Sequence, residues 1–235
     1  MKNSLIAITT ALVMGCLGAV ALCFRALGGA QAVSAFDEGG MRIVVDAGHG
    51  GIDGGVTGRK TGVKESDINL AIAFRLQDKL EEMGFEVIMT RKTEAGLYDT
   101  TARGFKKRDM QRRKEIILEA SPMLVISVHQ NFYPSQSQRG AQVFYNQDNE
   151  KSRLLALQIQ AQMNGLYEKE GVKKRLEMKG DFFMLNCAEC PSVIVECGFL
   201  SNARDEALLC SDIWQERTAS SISAGVIAYL SGGAA

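Results

Sequence analysis

At 235 residues, with 46% hydrophobic and 23% charged side chains, the chain has room for one globular domain and a leader but not for two large domains. Its 27 basic residues match its 27 acidic ones and only three prolines occur. That balance argues against a largely disordered chain and removes the electrostatic case for a nucleic-acid partner.

The leader comes first. Residues 4–24 run without a charge, and about 20 apolar residues suffice to cross a bilayer as a helix. A secretory signal usually has a shorter apolar part, which favours an uncleaved anchor. Ala30-Gln31-Ala32, in contrast, has the small-x-small form of a cleavage site. Residues 1–35 are therefore read as a signal peptide or membrane anchor with a short linker, in contact with the membrane at least during export. Either fate places residues 36–235 outside the cytoplasmic membrane, secreted or anchored. Removing the leader charges Lys2 and Arg25 leaves 25 basic against 27 acidic residues, so the body is also near neutral.

In the body, residues 41–46 (Met-Arg-Ile-Val-Val-Asp) read as a buried strand. Ile68, Ile72, Leu76, Leu80 and Met83 recur at helical spacing, which predicts a helix over 66–83. Asp67 suits its positive N-terminal end and Gly84 stops it. A strand follows at 85–90, then a charged helix at 102–120 ended by Ser121-Pro122. Strands are predicted at 123–128, 141–145 and 192–197, and helices at 149–167, 203–210 and 213–230. Alternation of helices with near-continuous apolar strands predicts an α/β fold: a single domain on a mostly parallel sheet, with helices on both faces. In such sheets functional residues gather at the carboxyl ends of strands.

The two histidines of the chain, His49 and His129, each follow a predicted strand. A lone histidine is more often a satisfied polar residue than a ligand, but matching strand ends can bring both imidazoles to one sheet edge. His49 sits in Gly48-His49-Gly50-Gly51, followed by Asp53-Gly54-Gly55. Glycines there allow close approach of backbone to an ion or substrate. The loop lacks the lysine and hydroxyl of a phosphate-binding loop, and its spacing does not fit the dinucleotide fingerprint. Glu65 precedes the first helix, where it is either a stabilising N-terminal acid or a third ligand. Two histidines and a carboxylate make a catalytic zinc set with a fourth position free, and zinc brings the pKa of water to about 7. Glu196 ends the strand Val193-Ile194-Val195 at the same edge. It is either a structural acid or the proton carrier that amide hydrolysis requires.

Taken in order, Asp46-Ala-Gly-His-Gly-Gly-Ile-Asp-Gly-Gly55, Glu65 before Asn69-Leu70, Ser127-Val-His-Gln-Asn131, Gly140-Ala-Gln-Val-Phe-Tyr145 and Val195-Glu-Cys-Gly-Phe-Leu-Ser-Asn202 resemble the zinc-dependent N-acetylmuramoyl-L-alanine amidases from about residue 42 to residue 230. The resemblance implies one zinc ion held by His49, Glu65 and His129, with Glu196 as catalytic acid/base, in a catalytic domain spanning residues 36–235. It implies a peptidoglycan substrate, the amide between N-acetylmuramic acid and L-alanine, and a twisted sheet flanked by helices. Asp46 is expected to accept the second N–H of a metal-bound histidine.

Ser121-Pro122, and Gln130 in place of a small residue, depart from the family pattern. Both bear on loop shape rather than on the metal set. The short span from His129 to Glu196 leaves no room for the autoinhibitory helix of septum-splitting members. The minimal, leader-bearing form is most similar to germination-specific members that act on spore cortex, where peptide removal precedes muramic lactam formation. That implies a location in the forespore intermembrane space, and it leaves a place for an activator or targeting protein.

Competing readings are a catalytically silent wall-binding or regulatory protein and a zinc peptidase. Arg103, Lys106, Lys107, Arg108, Arg112, Arg113 and Lys114 make the second helix basic. This reads as a solvated face, with wall polymer or a partner as the alternative and a structural role for Arg113. Cys187-Ala-Glu-Cys190 reads as ordinary thiols or a local disulfide.

Overall fold

The β-branched run Ile43-Val44-Val45 is fully buried and forms the centre of β1 (Arg42–Ala47). The computed structural model describes residues 41–99 and 103–232, so the leader lies outside the described residues. After β1 the chain forms α1 (Glu65–Glu82), β2 (Glu86–Met89), α2 (Phe105–Ala120), β3 (Leu124–Asn131), β4 (Gln142–Tyr145) and α3 (Glu150–Glu168). A two-residue strand β5 (Met178–Lys179), a 3-10 turn (Phe183–Asn186), β6 (Ser192–Phe199), α4 (Ala203–Leu209) and α5 (Asp212–Leu230) complete it. No helix among the described residues is long and apolar enough to cross a membrane.

The sheet order is β2-β1-β3-β6-β4-β5. β2, β1, β3 and β6 run parallel, β4 is antiparallel to β6, and β5 is parallel to β4. The mostly parallel α/β domain expected from the sequence is therefore present. One face carries Ile43, Val45, Leu124, Ile126, Val193 and Val195 against apolar residues of α1, α3 and α5. The other carries Val44, Val125 and Ile194 against Ile117 of α2 and Met184 and Leu185 of the 3-10 turn. A strand exposes alternate residues to opposite faces, so both cores draw on the same three strands.

Three boundaries differ from expectation by more than one residue, and two of them matter. β3 and β6 run past the predicted ends, to Asn131 and Phe199, because the two strands go on pairing with each other through polar residues. His129 and Glu196 thus lie within strands and stand side by side in register. The second helix begins at Phe105, after Gly104 in the left-handed conformation at φ 88°.

Candidate metal centre

The second face turns polar where its strands approach their carboxyl ends. Two residues beyond Val44 comes Asp46; Ser127 and His129 follow Val125; Glu196 follows Ile194. Asp46, His129 and Glu196 line one cavity of about 440 Å³, together with His49, Asp53, Glu65, Lys106 and apolar Phe132, Phe182 and Phe183. That volume suits a small-molecule or substrate-segment site.

His49 enters from the turn after β1, with φ at 60°. The left-handed region costs a residue with a Cβ about 1–2 kcal/mol, and such strain persists only where the surroundings impose it. Two glycines let the backbone approach the cluster. A Cβ on Gly48 would lie 2.3 Å from the His129 ring, and one on Gly55 would lie 2.4 Å from the Glu65 carboxylate. Glu65 is the first residue of α1 and is buried.

These elements bring the three predicted ligands together. His49 Nε2 lies 3.3 Å from Glu65 Oε1, and His129 Nδ1 lies 2.9 Å from the same oxygen. The three ligand atoms all fall within 4.8 Å of one another. Ligands at zinc bond lengths of about 2.0–2.1 Å in tetrahedral array stand roughly 3.3 Å apart, so the donor set fits one such ion with little movement. Glu196 adds a second sign of fit: its Oε2 is buried and has no hydrogen-bond partner among the described residues. A buried carboxylate oxygen without a partner is costly, which is expected of a group whose partner is a water or a substrate.

Charge follows the same geometry. Burial works against ionisation of Glu65, but hydrogen bonds with His129 and His49 outweigh it and hold the carboxyl well below the usual range. Burial also disfavours charge on His49, yet Glu65 and then Asp53 raise its pKa. Burial pushes Glu196 up to about 7, with His129 opposing and Glu65 reinforcing the shift. A carboxyl poised near neutrality can both take and release a proton.

The expected role of Asp46 is corrected. Its carboxylate accepts hydrogen bonds from Thr90 Oγ1 at 2.6 Å, Ser127 Oγ at 2.5 Å and Arg113 Nη1 at 2.5 Å, rather than from a histidine. The acid beside the second ring nitrogen of His49 is Asp53, with Oδ2 3.2 Å from His49 Nδ1 and Oδ1 3.0 Å from Lys106 Nζ. Asp53 stands four residues after His49 in the quoted glycine motif, a spacing that could have flagged it. Asn69 Nδ2 and the Gln130 backbone N–H donate to Glu65 Oε1 at 3.3 and 3.1 Å, and Val56 N–H donates to Oε2 at 2.9 Å. Arg113 is 1% exposed, so its structural role is present, while Lys106 and Arg112 of the same helix are solvated. Cys187, Cys190, Cys197 and Cys210 are free thiols.

Comparison with known proteins decides the family. The model of the N-acetylmuramoyl-L-alanine amidase family matches residues 43–228. The chain belongs to that family. A germination-specific N-acetylmuramoyl-L-alanine amidase of Bacillus subtilis (strain 168) is 36% identical over 193 residues, covering 81% of this chain and 80% of the relative. Among solved structures, the CwlD amidase from Clostridioides difficile in complex with the GerS lipoprotein superposes with TM-score 0.77 at 36% identity, covering 82% of this chain and 99% of that one. The catalytic domain of the amidase CwlV from Bacillus (Paenibacillus) polymyxa var. colistinus gives TM-score 0.70 at 27% identity, over 80% and 97% of the two chains. As a member of this amidase family the protein is a peptidoglycan hydrolase, acting on the amide between N-acetylmuramic acid and L-alanine.

Proposed function

We propose that this amidase uses one zinc ion, held by His49, Glu65 and His129, with Glu196 as catalytic acid/base. The convergence of three ligand atoms on one point of the substrate-sized cavity carries the reading. When bound, zinc supplies Lewis acidity, polarising the amide carbonyl and acidifying water. The protein's residues do the rest. Asp53 orients His49 through Nδ1. Asn69 and the Gln130 and Val56 amides fix Glu65 as an anion. Glu196 takes a proton from the attacking water and passes it to the departing L-alanine nitrogen. Phe132, Phe182 and Phe183 offer apolar wall against which substrate sheds water.

The biological setting follows from the likeness to the germination-specific relative. We infer a role on spore cortex, where removal of the stem peptide supplies the substrate for muramic lactam formation. The site of action is outside the cytoplasmic membrane, in the forespore intermembrane space, with residues 1–35 serving as signal or anchor and residues 36–235 as the catalytic domain. The structural neighbour complexed with the GerS lipoprotein supports a place for an activating or targeting protein. The test incubates residues 36 onward with cortex and with vegetative wall, with and without zinc, and weighs the products by mass spectrometry. Zinc-dependent release of free stems beginning at L-alanine, from cortex, is expected. Shortened stems would instead mean a peptidase and sink the amidase reading, and no product from either wall, with zinc bound, would point to a missing partner.

A further inference from the structure

Arg91 and Arg113 take no part in the reaction above, yet both are buried, 3% and 1% exposed, and both end on the backbone that carries His49. Arg91 Nε donates to the Ala47 carbonyl at 2.8 Å and Nη2 to the Gly48 carbonyl at 3.0 Å. Arg113 Nη1 donates to the Ala47 carbonyl at 2.8 Å and Nη2 to the His49 carbonyl at 2.6 Å. Asn69 Nδ2 also donates to Gly48 O, at 3.1 Å. We propose that Arg113, with Arg91, is a positioning residue for the metal centre, a clamp that holds the His49 turn so that its imidazole faces Glu65 and His129 before an ion arrives. The proposal rests on the reading of His49 as a ligand.

The geometry of a peptide gives the reason. The φ and ψ of His49 are set by the planes of the peptides before and after it, because each peptide is rigid. The carbonyl of the first plane is Gly48 O, held by Arg91; the carbonyl of the second is His49 O, held by Arg113. With both planes fixed, His49 stays at φ 60°, and its Cβ direction is fixed with it. Released, a residue with a Cβ relaxes towards the right-handed or extended regions, which turns the ring away from its partners.

The clamp is itself anchored. Asp109 Oδ2 of α2 accepts from Arg113 Nε at 2.6 Å, and Asp46 Oδ1 accepts from Nη1 at 2.5 Å. Arg91 donates two further N–H groups to the carbonyls of Ser66 at 2.8 Å and Thr93 at 2.9 Å. One planar guanidinium therefore bridges α2, β1 and the His49 turn. A lysine can keep the ion pair with Asp46 but cannot also reach Asp109 and the His49 carbonyl. Arg113→Lys thus separates pairing of a buried acid from positioning of a ligand.

The test measures zinc affinity of the full-length chain by competition with a chelating dye, beside thermal unfolding of the metal-free protein. Arg113→Lys is expected to weaken zinc binding at least about tenfold while the metal-free unfolding temperature changes little. Asp109→Asn, which loosens the anchor but keeps the guanidinium, is expected to show a smaller loss of the same kind, and it decides the matter if Arg113→Lys does not fold. Arg139→Lys disturbs the pair of half-buried Arg139 with buried Asp205, 2.9 Å long and outside the cavity; it is expected to lower unfolding temperature and leave zinc affinity unchanged. Zinc binding of wild-type strength in folded Arg113→Lys, or in Asp109→Asn should the first variant not fold, overturns the clamp. So does a fall in zinc affinity in Arg139→Lys as large as that in Arg113→Lys, because lost stability alone would then account for both. Wild-type protein that binds no zinc would overturn the metal reading itself, and the clamp with it.

Discussion

The two faces of the sheet are made from alternate residues of the same strands, and they part company at the carboxyl ends. On the face covered by α1, α3 and α5, burial stays apolar as far as Ala47, Val128 and Cys197, through Ile43 and Val45, Leu124 and Ile126, and Val193 and Val195, and turns polar only at Gln130 of β3. On the face covered by α2, each strand changes character after one apolar residue, at Asp46, Ser127 and Glu196. Neighbouring positions thus serve different ends, because a period of two sends them to opposite sides. Stability and chemistry should therefore separate by residue parity.

The largest test of that separation is at the ligands. His49→Ala and His129→Ala are each expected to lose stoichiometric zinc and all measurable turnover, while metal-free unfolding shifts little. Metal analysis of the purified variants checks it, and an active zinc-free variant would remove the residue from the metal set. Next in size is Glu196→Gln. Removing the proposed proton carrier but no proposed ligand should lower kcat by about 10²–10⁴-fold with zinc still bound at one per chain. Loss of zinc in that variant would contradict the division of roles between Glu196 and the ligands.

The opposite face should answer in the other way. Ile159 of α3 is fully buried among the core residues of that face. Ile159→Ala removes packed methylenes and should cost about 2–5 kcal/mol of stability, read by denaturant unfolding. At a temperature where the variant remains folded, its zinc content and kcat should match wild type. A fall in zinc affinity there would show that the faces are mechanically coupled.

How far this arrangement could be read from sequence differs between the faces too. The apolar face was legible because Ile68, Ile72, Leu76 and Leu80 repeat at helical spacing and the strands are short β-branched runs. His49, Glu65, His129 and Glu196 were legible as a set because each sits at the edge of a predicted element. What sequence did not reveal depends on distant partners. Its motif pairs Asp46 with a histidine, whereas the charge beside it comes from Arg113, 67 positions away. Arg91 carries no local signal, since nothing nearby in sequence distinguishes a cation after a strand from a solvated one. The pattern ends β3 and β6 too early because residues 129–131 are polar and read as loop, although pairing between the strands continues through them. β5 has two residues, too few to show any alternation.

The smallest expected effect comes from Asp46, the acid on the chemical face that does structural work. Burial favours its protonated form, but the charge of Arg113 and hydrogen bonds from Ser127 and Thr90 outweigh that and lower the pKa from 3.8 to about 2. In the unfolded chain the group returns to its ordinary value. A depressed folded pKa means that the unfolded state binds the proton more readily, so the contribution is fully present above about pH 4. It fades as pH falls and is gone below about 2. The shift corresponds to roughly 2 kcal/mol. Denaturant unfolding of the metal-free protein between pH 5 and 2 should show this loss, and Asp46→Asn should flatten the curve in that window while lowering stability at neutral pH. An unchanged acid limb in Asp46→Asn would assign the loss to other carboxylates, Glu65 foremost, since its carboxyl is held lower still by the two histidines.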